Sequence, residues 1–127
     1  MTAYTVLIVD DEKYVLEELV EAFEDEGYSV LSASSRDGVF ALEGLTDVAL
    51  VVTDLKMPGI DGISLYRKLC ERKGFSAPAI LLSGHGAQSN RIDALAAGFS
   101  ACLAKPVDLE ELLDIARHLC TNDTPLG

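Results

Sequence analysis

The sequence predicts a doubly wound α/β domain. Three observations carry that prediction. Short apolar runs alternate with amphipathic segments along the whole chain, and the inner runs are rich in Val, Ile and Leu. Each apolar run also ends in polar or charged residues, as strands do where they leave a buried sheet.

Taken in order, Thr5–Val9 has the composition of a buried strand. A helix from about Glu12 to Glu26 comes next, with Gly27 placed to terminate it. Tyr28–Ala33 is the second strand. Ser34, with Asp37 three residues on, has capping-box spacing and opens a short helix to about Leu45. Val48–Thr53 is the third strand, too short for most helices, and the loop Leu55–Gly62 after it is punctuated by Pro58 and glycines. Asp61 can cap a third helix that ends near Gly74. Pro78–Ser83 is the fourth strand. A helix from about Ala87 to Ala97 stops at Gly98, and Ser100–Ala104 makes a short fifth strand. Asp108 with Glu111 again has capping-box spacing and starts a last helix to about Cys120. Five β-α pairs of this kind imply a five-stranded parallel sheet with five helices on its two faces. Right-handed crossovers favour strand order 2-1-3-4-5, the flavodoxin-like winding, with its switch point between strands 1 and 3.

The 127 residues fit one domain, placed at 1–120, with a polar tail or linker start at 121–127. A hydrophobic fraction of 49% with no low-complexity tract indicates a folded globule. No apolar run approaches the ~18 residues of a membrane span, and the polar start does not resemble a signal peptide. Cys70, Cys102 and Cys120 lack metal-like spacing and fit reduced thiols in a cytoplasmic protein. A net charge of −11 argues against direct binding of nucleic acid or anionic membrane.

In this winding every strand end points to one edge. Strand 1 delivers Asp10 and Asp11, strand 3 delivers Asp54, strand 4 delivers Ser83, and strand 5 delivers Lys105 and Pro106. Strands 1 and 3 are neighbours, so the acids should crowd one crevice and repel one another unless a cation joins them. Hard oxygen ligands of this kind suit Mg²⁺. With Lys105 as a fixed positive charge and the Ser83 hydroxyl as a donor, the set is equipped for phosphoryl transfer to an aspartate. Singly, each feature has a plainer reading: an acidic pair that caps a helix, a loop serine, a Lys-Pro turn. Together they fall on one edge of one sheet.

Val9–Glu12, the stretch Asp54–Gly62, Leu82–Gly84, and Gly98 with Leu103–Pro106 resemble the response-regulator receiver domain of two-component signalling, over essentially the whole chain. The resemblance implies that Asp54 accepts a phosphoryl group from a phosphohistidine on a sensor kinase or histidine phosphotransfer protein. It implies direct Mg²⁺ ligation by Asp11, Asp54 and the Lys56 backbone carbonyl, with Asp10 acting through water. Lys105 would pair with a phosphoryl oxygen, and Ser83 would bond another and move on activation. It further implies a cis peptide before Pro106, and a homodimer through the helix 4–strand 5–helix 5 face is left open. The resemblance implies that the positions of Lys56 and His85 influence how fast water removes the phosphoryl group, although His85 by itself reads as a solvated loop residue. Gly84 would keep side-chain bulk away from the site, or simply lend the loop flexibility. The kinase-docking face would include Glu12, Tyr14, Val15, Glu18, Glu21 and Pro106. Leu16, Leu19, Val20 and Phe23 form the stripe of the same helix that faces the sheet, with Tyr14 and Val15 off that stripe.

The chain departs from the family at Cys102, where Tyr or Phe is usual. Phe99 is bulkier than usual and Ala101 replaces a frequent acid. A thiol cannot sweep the volume of a ring, so Ser83 and Cys102 together form an incomplete switch region, and output would rely on helix 4 movement or on phosphotransfer itself. The plainer reading makes Cys102 a small core residue with no signalling meaning. No basic neighbour of Cys102 is visible in the sequence to support oxidation sensing. Two rivals remain: a pseudo-receiver acting only as a binding module, and a Mg²⁺-dependent phosphohydrolase with an aspartate nucleophile. Lys56 stands where such hydrolases usually carry a second acid, which disfavours the latter. The expected molecule is a signalling switch with self-catalysed phosphorylation and slow hydrolysis, and not a metabolic enzyme.

Overall fold

The computed structural model describes residues 4–84 and 87–121, with 87–89 described by backbone alone. The described strands are β1 (Thr5–Val9), β2 (Ser29–Ala33), β3 (Val48–Asp54), β4 (Ala79–Ser83) and β5 (Ala101–Ala104). They form one parallel sheet in the order β2-β1-β3-β4-β5, as the alternating pattern predicts. The helices are α1 (Lys13–Asp25), α2 (Arg36–Phe40), α3 (Gly62–Cys70), α4 (Ala87–Ala96) and α5 (Leu109–Thr121).

Strand alternation sends successive side chains to opposite faces. Val6, Ile8, Leu50, Val52, Ile80 and Leu82 pack under α1 and α5 with Leu19, Phe23, Leu112, Ala116 and Cys120. Leu7, Val9, Val51, Ala79, Leu81 and Cys102 pack on the other face with Val39 of α2, Leu65, Tyr66 and Leu69 of α3, and Ala94 of α4. Both faces of the inner strands are covered, which is why those strands read as continuous apolar runs. On the second face Tyr66 packs at 4.7 Å from the Phe99 ring and donates its hydroxyl to the Ala77 carbonyl at 2.7 Å. No helix among the described residues is long and apolar enough to cross a membrane.

Two elements differ from the sequence expectation. The cap of α2 is Ser35, whose hydroxyl accepts from the Gly38 N–H at 3.0 Å, and α2 ends at Phe40 well short of Leu45. Gly44 has φ of +85°, outside the helical region, and leads into a 3-10 turn over Leu45–Asp47 that buries Leu45. Helix α3 stops at Cys70, earlier than expected. Gly74, with φ of +86°, belongs to the turn that carries the chain on to Phe75. Asp61 caps α3 as expected, accepting from the Ser64 N–H at 2.8 Å. Asp108 does the same for α5, accepting from the N–H groups of Glu110 and Glu111.

Candidate functional site

The sheet register assembles the site. Val9 of β1 pairs with Thr53 of β3, so the next residues, Asp10 and Asp54, emerge side by side. Ser83 of β4 pairs with Ala104 of β5, and the Lys105 N–H donates to the Ser83 carbonyl at 2.9 Å. By alternation Asp10, Asp54 and Lys105 leave the sheet on the α1/α5 side, whereas Ser83 leaves on the α4 side.

Three carboxylates meet one ammonium. Lys105 Nζ lies 3.1 Å from Asp10 Oδ2, 3.2 Å from Asp54 Oδ1 and 3.3 Å from Glu12 Oε1. Asp10 is fully buried and Asp54 is 6% exposed, so these charges are held largely out of water. Asp10 also accepts from the Glu12 N–H at 2.9 Å, which fixes the turn into α1. Asp10 is not the helix cap of the plainer reading, since Glu12 stands at the cap position of α1 and no side chain caps it. A cavity of about 290 Å³ opens over this cluster, lined by Asp11, Glu12, Asp54, Leu55, Lys56, Gly84 and Lys105.

Burial pushes the Asp54 carboxyl above its usual range, and the neighbouring Asp10 charge pushes it further. Lys105 pulls in the opposite direction and Asp11 adds to the upward push. Burial alone would lower the Lys105 pKa. Its hydrogen bond to Asp10, and the charges of Asp10 and Asp54, overrule that and hold it above the usual lysine value. The ammonium is therefore a standing cation beside a buried carboxylate. One oxygen each from Asp10, Glu12 and Asp54 lies within 4.8 Å of the others, a hard-oxygen set suited in chemistry and spacing to a divalent cation.

The backbone beneath Asp54 is tightly fitted. The Thr53 hydroxyl donates to the Asp54 carbonyl at 3.0 Å, and the Gly62 N–H donates to the Leu55 carbonyl at 2.7 Å. A Cβ on Gly62 would overlap the Asp54 carbonyl oxygen and come within 3.1 Å of Leu81 Cδ1. Gly62 is thus a site-forming residue, although the sequence places it only in a loop. Its signal is a side-chain-free residue directly after the α3 cap.

The remaining expected residues are distributed around this cluster. Asp11 is exposed at the mouth of the cavity, and it is Glu12 that converges with Asp10 and Asp54. Glu12, expected only on a docking face, therefore also belongs to the charge cluster. Ser83 is fully buried and accepts a 2.6 Å hydrogen bond from Asn90 Nδ2 of α4, a partner that sequence reasoning missed. The Lys105–Pro106 peptide is cis. A Cβ on Gly84 would meet no protein atom within 4 Å, so only a bound group could be crowded there. His85 lies outside the described residues. Tyr14 is 81% exposed and Glu18 and Glu21 are exposed, but Val15, expected off the core stripe, packs partly against the α1/α5 core. Cys102 is a buried core residue with a basic neighbour after all: Arg91 Nη2 donates to its carbonyl at 3.3 Å. Burial nevertheless raises the thiol pKa, with Arg91 only partly opposing it.

A family model for the response regulator receiver domain matches residues 6–117. The chain belongs to that family. Among its curated relatives, the response regulator MprA of Mycobacterium sp. (strain KMS) is 37% identical over 122 residues, covering 94% of this chain and 52% of the relative. The transcriptional regulatory protein FixJ of Rhizobium meliloti (strain 1021) is 34% identical over 123 residues, covering 94% of this chain and 60% of FixJ. The receiver thus spans between half and two thirds of these two relatives. Among solved structures, a receiver domain protein from Clostridium thermocellum superposes with a TM-score of 0.86 at 29% identity, covering 98% of this chain and 99% of that one. The FixJ-N crystal structure gives 0.82 at 30% identity, covering 99% and 100%. Receivers are the phosphoacceptor modules of two-component systems and act as signalling switches, not as metabolic enzymes. The phosphohydrolase and binding-module rivals are not favoured.

Proposed function

We propose that Asp54 is the phosphoacceptor of this receiver and that the Asp10–Glu12–Lys105 cluster makes it competent. The observation that carries this is the Lys105 ammonium held against Asp54 and Asp10 at hydrogen-bonding distance. An Asp54 oxygen attacks the phosphorus of a phosphohistidine on a sensor kinase or phosphotransfer protein. The O–P bond forms as the P–N bond breaks, and the electron pair leaves on the imidazole nitrogen. Asp54 does this as a carboxylate, and Asp10 confines it on one side while the cavity admits the donor on the other. Lys105 remains beside Asp54 to neutralise a phosphoryl oxygen, and the hydroxyl of Ser83 supplies a donor to another. A Mg²⁺ ion held by the acids at the cavity, with Asp10, Asp11, Glu12, Asp54 and the Lys56 carbonyl as candidate ligands, would neutralise the charge that otherwise repels a phosphoryl group. Water attack on the phosphorus later releases inorganic phosphate and restores the carboxylate, the water's proton passing to the phosphate.

The exposed acids Glu18 and Glu21, with Tyr14, lie on α1, which begins at the cavity, and we assign kinase docking to that face. The reducing cytoplasm is the compartment in which Cys70, Cys102 and Cys120, all free, remain thiols.

The test is incubation with acetyl phosphate and Mg²⁺ followed by intact mass. Wild type gains one phosphoryl group and Asp54→Asn gains none. An adduct of equal yield on Asp54→Asn would remove Asp54 from the role.

A further inference from the structure

The geometry points to Asn90 as the positioning residue through which α4 registers the state of Ser83, an inference that rests on the phosphoacceptor reading of Asp54. Asn90 Nδ2 donates to Ser83 Oγ at 2.6 Å, and Ser83 is fully buried. Donation by the amide occupies an acceptor site on the hydroxyl oxygen and leaves its single proton to be given elsewhere. A phosphoryl oxygen on Asp54 is an acceptor for that proton. The two bonds therefore do not compete, and a shift of the hydroxyl toward the phosphoryl group is felt at Asn90.

Helix α4 is built to respond to such a small pull. Ala94 is the only buried side chain among its described residues from Asn90 to Ala96, whereas α3 buries Leu65, Tyr66 and Leu69, and α5 buries Leu112, Ala116 and Cys120. Ile92 and Leu95 point outward at 70% and 53% exposure. With so little apolar anchorage among its described side chains, polar ties weigh heavily in fixing this part of the helix. Two adjacent residues supply them: Asn90 to Ser83 on β4, and Arg91 Nη2 to the Cys102 carbonyl on β5 at 3.3 Å. Cys102 is on the same face of the sheet as Ser83 and α4, and its thiol cannot follow the Ser83 hydroxyl as a large ring would. The polar tie at Asn90 is a direct side-chain connection from Ser83 into α4.

Donor and acceptor chemistry supplies the test. Asn90→Asp keeps the shape but can only accept, so the Ser83 proton turns to the carboxylate and away from the phosphoryl group. Phosphorylation by acetyl phosphate with Mg²⁺ should slow roughly 3- to 10-fold, the size of one hydrogen bond. Ser83→Ala should slow it similarly, and the double variant should be no slower than the slower single one, because both changes remove the same bond. Asn90→Ala is read differently, by hydrogen exchange at the α4 amides with and without beryllofluoride and Mg²⁺. Wild type changes its α4 exchange on binding beryllofluoride, and Asn90→Ala loses that change. A wild-type α4 response in Asn90→Ala, or effects of Asn90→Asp and Ser83→Ala that multiply independently, overturns the inference while leaving Asp54 in its role. No adduct on wild type overturns both.

Discussion

Gly62 shows how one missing side chain fixes the position of a reactive one. Its Cα approaches the Asp54 carbonyl so closely that a Cβ would overlap the oxygen, and the obstacle is backbone, which cannot swing aside. Gly62→Ala must displace the backbone at the end of β3, where Asp54 stands, or the start of α3. Overpacking of this kind costs about 1–3 kcal/mol, and here the strain falls on the proposed phosphoacceptor itself. The expected outcome is a lowered denaturation midpoint together with slower acetyl-phosphate phosphorylation. Unchanged phosphorylation in a folded Gly62→Ala protein would show that the Asp54 backbone position is not critical. Asp10, Asp54, Lys105 and Ser83 were legible in the sequence because each stands at a strand end, whereas the place of Glu12 in the charge cluster was not. Gly62 and Asn90 were not, because their roles depend on contacts between elements: a backbone clash in one case, a hydrogen bond across seven residues in the other.

At the scale of elements, strands were easier to place than helix ends. A buried parallel strand announces itself by a continuous apolar run, and the expected strands agree with the observed ones to within a residue or two. The second helix was harder because Ser34 and Ser35 are adjacent and both have the chemistry of a cap. Only the geometry decides, by bringing Ser35 Oγ to the Gly38 N–H. The path of the chain beyond α2 was also hidden, since the Phe40 ring lies under the Arg36 and Arg72 guanidiniums at 6.0 and 5.4 Å and Leu45 is drawn into the core by a separate turn. Asp61 was legible, and it does more than start a helix. Its carboxylate holds the Ser64 N–H and so fixes the first turn of α3, which contains Gly62. Asp61→Ala should cost about 1 kcal/mol, the usual value of a lost cap. In urea titration the midpoint should fall with an unchanged slope, the pattern of reduced stability without a change in the surface exposed.

For the whole molecule, the site is a stability cost kept in reserve for chemistry. The domain carries a net charge of −11, and at one buried point Asp10 and Asp54 share a single lysine with the exposed Glu12. Because burial and Asp10 raise the Asp54 pKa above its ordinary 3.8, the folded state holds that proton more tightly than the unfolded chain. Stability linked to Asp54 is therefore greatest below 3.8 and falls as pH rises from there through the raised value, after which the loss is complete. Lys105 has the opposite consequence. Its raised pKa contributes stability that is intact below the ordinary 10.5 and is lost only as pH climbs through its folded value. Wherever both groups are charged, the Asp54 cost is fully felt. Asp54→Asn removes the charge with little change of shape and should raise Tm at pH 7, by about 3–5 °C for each kcal/mol relieved in a domain of this size. The difference between variant and wild type should shrink as pH is lowered through the raised Asp54 value, where the carboxylate gains its proton. Millimolar Mg²⁺ should raise the Tm of wild type more than that of Asp54→Asn, since an ion that binds only the folded acids stabilises in proportion to its affinity. A Tm for Asp54→Asn below wild type at pH 7 without Mg²⁺ would mean that the Lys105 ion pair outweighs desolvation and Asp10 repulsion, reversing the sign assigned to this site.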